Sequence, residues 1–221
     1  MQLHPAELLT FALILGPAYL LGSIPFGLLL GRLGGMDVRQ HGSGNIGATN
    51  VWRVLGPKFG SATFLLDAGK GFLAVRLAEN IAWARVPHPV PEDYLAYATV
   101  FAALSCIVGH TFPVWLKFKG GKGVATSLGV LLAVVPPLAT GVVLAVWVAT
   151  FALSRYVSLA SILAALALPV TVGGLLYLNA IQGRAYFAFA CAAAFLVVRR
   201  HRENIKRLFA GTENRFKKST E

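Results

Sequence analysis

Four polar clusters stand out because their side chains could hold an anion or align a hydroxyl, in a chain otherwise too apolar to need them. The first is Gly42-Ser43-Gly44-Asn45-Ile46-Gly47-Ala48-Thr49-Asn50-Val51-Trp52-Arg53. Its glycines allow backbone N–H groups to converge on an anion without side chains in the way. Ser43 and Thr49 offer hydroxyls, Asn45 and Asn50 amides, and Arg53 can fork across two oxygens of a phosphate; Asp37 is the nearby counter-charge. The second runs through Gly109-His110-Thr111-Phe112-Pro113 to Phe118-Lys119-Gly120-Gly121-Lys122-Gly123-Val124-Ala125-Thr126. A glycine-rich turn that feeds a helix start supplies unpaired N–H groups and a favourable dipole, and Lys122 is the phosphate-contacting lysine expected there. Lys119 reads as a snorkelling interfacial residue and His110 as a structural hydrogen-bonder. Asp67 and Lys70 form the third cluster. They lie inside an apolar run, three residues apart on one helical face, which leaves two readings open: a mutual pair, or substrate contact by Lys70. In the fourth, Ser158 with Ser161 and His201 with Asn204 are each spaced to line one helix face, with groups suited to a polyol.

Several chemistries are missing from this inventory. The nine acidic residues are scattered, with no spacing that would hold Mg²⁺, and no His/Cys set suggests zinc. The second cluster lacks the spacing of a Walker loop, and there is no GxSxG nucleophile elbow. Nor is there the aspartate-rich motif of the CDP-alcohol phosphotransferases. The expected site recognises phosphate with no metal, no cofactor and no covalent nucleophile.

The elements that must carry these clusters are apolar helices. The chain is 56% hydrophobic and 13% charged, with mean hydropathy +0.66. A soluble domain is nearer a quarter charged, so the fold class expected is an all-α integral membrane protein. Apolar runs at 8–30, 60–82, 94–115, 124–135, 138–156, 159–178 and 186–198 predict about seven transmembrane helices of ~20 residues. Pro136-Pro137 is the reason for dividing the fourth from the fifth. The first run is too long for a signal peptide and is read as a retained helix. With that count, the lysines and arginines gather on one side, in the first, third and fifth connections and in the tail, Lys217 and Lys218 included. Only Arg85 and Arg184 fall opposite, and Lys70 and Arg76 lie within the second helix. By the positive-inside rule the N-terminus is outside and the C-terminus cytoplasmic, and the clusters at 42–53, 120–123, 158–161 and 201–204 face the cytoplasm. The net charge of +11 is therefore topological, with nucleic-acid binding not expected. Cys106 and Cys191, isolated in apolar runs, read as small hydrophobes. Residues 1–221 are expected to form a single domain. The 86–93 connection and the tail from Gly211 are expected to add nothing, the tail to be frayed.

The stretch 42–50, the Asp67…Lys70-Gly71 element and Gly109-His110 through Gly120-Gly121-Lys122-Gly123-Val124-Ala125-Thr126 together resemble the signature motifs of the PlsY family, the bacterial acyl-phosphate-dependent glycerol-3-phosphate acyltransferases. Ser158-Leu159-Ala160-Ser161 and His201-Arg202-Glu203-Asn204-Ile205 resemble that family's later segments, so the likeness covers nearly the whole chain. The resemblance implies a seven-helix inner-membrane enzyme of phospholipid biosynthesis with a cytoplasmic site. Its partners would be glycerol 3-phosphate, a fatty acyl phosphate and membrane lipids. It would form lysophosphatidic acid and inorganic phosphate by acylating the sn-1 hydroxyl. By the same resemblance Ser43, Arg53 and Lys122 would hold phosphate, and Ser161, His201 and Asn204 would contact the glycerol substrate.

Acyl phosphate is already activated, so the chemistry asks mainly for charge stabilisation by Lys122, Arg53 and the glycine loops and for alignment by Ser161, His201 and Asn204. Asn45, Asn50, Lys70, Gly120, Gly121 and Ser158 complete the expected substrate-binding set. The proton acceptor is open between His201 and a phosphate oxygen of the substrate. The rival class is a membrane transporter of a phosphorylated metabolite, but the clusters gather at one face and no repeated halves appear. A structural membrane scaffold leaves the glycine motifs unexplained.

Overall fold

The computed structural model describes residues 5–85 and 91–216; Lys217 and Lys218 of the basic tail and residues 86–90 of the 86–93 connection lie outside the described residues. Among the described residues every regular element is helical. The order is α1 (Pro5–Ser23), α2 (Phe26–Leu33), a 3₁₀ turn at Val38–Gln40, α3 (Ala48–Leu55), α4 (Pro57–Arg85), α5 (Glu92–Thr111), a 3₁₀ turn at Val114–Leu116, α6 (Val124–Val134), α7 (Pro137–Ser154), α8 (Val157–Tyr177), α9 (Arg184–Arg200) and α10 (Arg202–Phe209). The segments Leu9–Leu33, Asp93–Leu116, Pro137–Ser154 and Val157–Tyr177 are long and apolar enough to cross a membrane. The chain divides into two compact units, Met1–Val134 and Val135–Glu221.

In the first unit α1 packs along α5, and α4 packs against α1, α3, α5 and α6. Glycine sets the closeness of these seams. A Cβ on Gly22 of α1 would enter the carbonyl of Cys106, and one on Gly109 of α5 would enter the carbonyl of Tyr19. The α4–α6 seam repeats the device: Gly71 abuts the carbonyl of Thr126, and Gly129 abuts that of Ala68. Small residues that let backbones meet are how helices associate where lipid removes the hydrophobic drive between them. Gly71 and Gly109, two glycines of the sequence motifs, are thus occupied in packing. Around them Ile14, Ala18, Ala74, Ala78, Ala82, Ala98, Ala102 and Cys106 form a buried cluster.

The apolar run at 8–30, expected as one helix, is broken. Pro25 has no N–H to give the ladder and disfavours helical geometry at Ile24, so α1 stops at Ser23 and α2 begins at Phe26. The Ile24 carbonyl at the break accepts from Phe26 N at 3.1 Å and from Lys70 Nζ at 2.7 Å. The division at Pro136-Pro137 is present, with Pro137 at the first helical position of α7, where a missing N–H costs nothing. In the second unit α8 packs against α7 and α9, and α10 lies against both α8 and α9.

Candidate active site

In the first unit the loop at 41–47 is built around the amide of Asn50. That side chain is 1% exposed. Its NH₂ donates to the carbonyls of Val38, His41 and Asn45 at 3.0, 3.1 and 2.8 Å, while its Oδ1 accepts from the N–H of Ser43 at 2.8 Å. Asn45 closes a smaller turn, its Oδ1 accepting from Gly47 N at 2.8 Å, as Asn does in Asx-turns. Gly42 and Gly44 have φ of +61° and +68°, a region that favours glycine. Both asparagines therefore shape the loop that exposes Ser43, and α3 carries Arg53 in its last turn. The counter-charge Asp37 is engaged elsewhere: its carboxylate meets the Arg39 guanidinium at 2.6 Å. That hydrogen bond holds the Asp37 carboxyl at about 2.

The glycine-rich turn folds back on the C-terminal end of α5. Gly120 N donates to Thr111 O at 3.2 Å and Gly121 N to His110 O at 3.1 Å, so these two N–H groups satisfy carbonyls that the end of α5 leaves without intrahelical partners. A Cβ on Gly120 would strike the His110 carbonyl and Pro113, and one on Gly121 would strike the His110 imidazole at Nε2. Gly123 turns with φ +82° and delivers the chain into α6, whose first-turn N–H groups have no intrahelical acceptor. Lys122 stands half-buried at that point.

Beneath the turn lies a buried polar group. Asp67 Oδ1 is 2.7 Å from Lys70 Nζ, both side chains at most 2% exposed, and it faces His110 Nδ1 at 3.5 Å, too long for a firm hydrogen bond. Lys70 Nζ also donates to Ile24 O and sits over the Phe26 ring. Of the two readings left open by sequence, the Asp67–Lys70 pair is formed.

The second unit gathers the other set. Ser161 Oγ donates to Val157 O at 2.7 Å and accepts from Trp147 Nε1 at 3.2 Å. His201, buried between α9 and α10, has Nδ1 2.8 Å from Val197 O. Because a carbonyl only accepts, Nδ1 carries the proton, and in the neutral ring Nε2 carries the lone pair. Ser158 Oγ and Asn204 Nδ2 donate to one oxygen of Glu213 at 2.7 and 2.6 Å, while Arg207 Nε donates to its other oxygen at 2.7 Å. Burial pushes this carboxyl upward, but the hydrogen bonds of Asn204, Ser158 and Arg207 outweigh it and hold it below the ordinary glutamate range.

The expectation that the tail after Gly211 frays and adds nothing is therefore corrected as far as Phe216. After α10, Gly211 takes φ +69°, with Gly211 N bonded to Leu208 O and Thr212 N to Arg207 O, the paired bonds of a Schellman stop. This reverses the chain and brings Glu213 back to Ser158. Phe216 N then bonds Arg155 O, and its ring packs edge-on against Phe151. Glu213 and Trp147 are the two contacting residues that sequence reasoning missed. The glycine that stops an arginine-rich helix, followed by a solitary carboxylate, was the available signal for the first; Trp147 had none beyond the rule that a buried indole N–H seeks an acceptor.

The model of the glycerol-3-phosphate acyltransferase family matches residues 12–211. The glycerol-3-phosphate acyltransferase of Desulforudis audaxviator is 46% identical over 211 residues, covering 94% of this chain and 96% of its own. That of Geotalea daltonii is 47% identical over 211 residues, covering 93% and 97%. Two crystal structures of PlsY, an integral membrane glycerol 3-phosphate acyltransferase, share the fold. Its glycerol 3-phosphate form has a TM-score of 0.80 at 40% identity, covering 94% of this chain and 96% of that one. Its lysophosphatidic acid form has a TM-score of 0.78 at 39% identity.

Proposed function

Because the chain belongs to the glycerol-3-phosphate acyltransferase family, an integral membrane family of phospholipid biosynthesis, we propose that it moves a fatty acyl group from acyl phosphate to the sn-1 hydroxyl of glycerol 3-phosphate. The products are lysophosphatidic acid and inorganic phosphate. The observation that carries this reading is the near-complete coverage of PlsY in its glycerol 3-phosphate form, joined to two sets of polar side chains that suit a phosphoryl group and a polyol.

The first unit supplies the phosphoryl set. Ser43 is exposed on a loop that Asn45 and Asn50 hold in shape, and Arg53 is exposed on α3. Lys122 stands where the turn shaped by Gly120 and Gly121 enters α6. These cations and helix-start N–H groups stabilise the charge that gathers on the departing phosphate. Lys70 contributes through its buried pair with Asp67 rather than at the substrate. The second unit supplies the polyol set of Ser158, Ser161, His201 and Asn204. Ser161 spends its proton on Val157 O and one lone pair on Trp147, so it meets a substrate hydroxyl as an acceptor.

In the reaction the glycerol oxygen attacks the acyl carbonyl carbon, the carbon–oxygen bond to phosphate breaks, and phosphate departs with the bonding pair. The hydroxyl proton passes to a phosphate oxygen of the glycerol substrate. A backbone carbonyl, not a carboxylate, backs His201 Nδ1, which stabilises an imidazolium less than the carboxylate of a catalytic dyad does. His201 then orients the hydroxyl. Under this reading His201→Ala raises KM more than it lowers kcat; a collapse of kcat at unchanged KM would make His201 the base. Both units together act as one acyltransferase domain. The chain crosses the bacterial inner membrane seven times, with the N-terminus outside and both sets served from the cytoplasm.

The test is phosphate release by purified protein given acyl phosphate and glycerol 3-phosphate. Release that requires both supports acyl transfer. Saturable glycerol 3-phosphate binding without release, and uptake into vesicles, would favour transport instead.

A further inference from the structure

The glycine-rich turn and the buried Asp67–Lys70–His110 group meet at one place. Gly121 lies so close to the His110 imidazole that a Cβ would clash with Nε2, with Cε1 and Cδ2 within 3.0 Å. The backbone is tied at the same point, Gly121 N to His110 O and Gly120 N to Thr111 O. The ring is itself confined: it is 4% exposed, and its other nitrogen faces Asp67 Oδ1 at 3.5 Å. Asp67 is fixed in turn by Lys70, which is anchored to the broken helix at Ile24. A chain of contacts thus runs from the α1–α2 break, through α4 and α5, to the residue preceding Lys122.

We propose that His110 is a positioning residue for acyl transfer: its imidazole is the platform on which Gly121 rests, and its placement by Asp67 and Lys70 sets where the Lys122 turn stands. The inference rests on the reading of Lys122 as a phosphoryl contact. Its content is distinct, because it assigns the geometry of the turn to a ring buried behind it. No proton transfer is asked of the ring. It acts through shape, since a turn displaced by about 1 Å costs on the order of a hundredfold in rate.

Steric complementation tests it. Gly121→Ala drives a methyl into the ring and is expected to lower kcat/KM about a hundredfold. His110→Asn keeps a polar group facing Asp67 and removes the part of the ring that the methyl meets. The double variant is expected to regain at least about tenfold over Gly121→Ala alone, a step of ~1.4 kcal/mol in transition-state binding. Thermal unfolding in detergent accompanies each assay, and a His110→Ser partner serves as a second relief variant should Asn fold poorly. Gly121→Ala with unchanged kinetics overturns the proposal. So does a double variant that is folded as well as the parent yet no more active than Gly121→Ala. If the parent protein itself releases no phosphate, the acyltransfer reading has failed, and this inference falls with it.

Discussion

Asp67 and Lys70 show what a single side chain must satisfy inside an apolar helix pair. A buried charge left alone is penalised far more heavily than a buried pair, and Lys70 also serves Ile24 O. Replacing Lys70 by Met is expected to lower stability by about 3–5 kcal/mol, read as a depressed unfolding midpoint in detergent. Asp67→Asn combined with Lys70→Met should lose less than Lys70→Met alone, because no uncompensated charge remains. Equal losses would show that the pair contributes nothing. The pair was one of two readings open from sequence, since residues three apart share a helix face. Its third member was not legible: Ile24 lies forty-six positions away, and no local spacing encodes that contact. Asn50 was legible as a polar residue in a glycine loop, but its amide is consumed by the loop's own carbonyls, which composition cannot reveal.

At the scale of elements, the tail after α10 is the part most altered by the structure. Its return depends on Gly211 and on the Glu213 carboxylate that Ser158, Asn204 and Arg207 share. The folded carboxyl titrates below an unfolded glutamate. The stability it adds is therefore complete above the unfolded value and lost as pH falls through the lower, folded one. Glu213→Gln should remove that acid-side loss from a plot of unfolding midpoint against pH, and at neutral pH it should hasten tryptic cleavage at Arg215. An unchanged acid limb with Gln in place would dissociate the tail from this carboxylate. The helices themselves were readable from their apolar runs. The break at Pro25 was not separated from the run because flanking residues on both sides are equally apolar, and α3 was hidden inside a stretch read for its donors.

For the molecule in its bilayer, the seven-span reading makes a directional claim. In a background without Cys106 and Cys191, Lys119→Cys and Arg202→Cys should resist a membrane-impermeant maleimide from outside and react once the membrane is opened. Arg85→Cys should react from outside at once. Opposite behaviour of the first two would remove the common cytoplasmic face. Among the described residues hydropathy and length pick out four spans, and α4 is not one of them: it carries too many charges along its length, and its 29 residues extend about 43 Å, beyond a hydrocarbon layer of ~30 Å. The interruption between α1 and α2 bears on biogenesis as well. The Ile24 carbonyl accepts from Phe26 N within the bend itself, and its second donor, Lys70, belongs to a later segment. During synthesis the bend between α1 and α2 is held by its local hydrogen bonds alone until the lysine of α4 arrives. The first segment to be made therefore gains its long-range anchor only from the next long one, forty-six positions on.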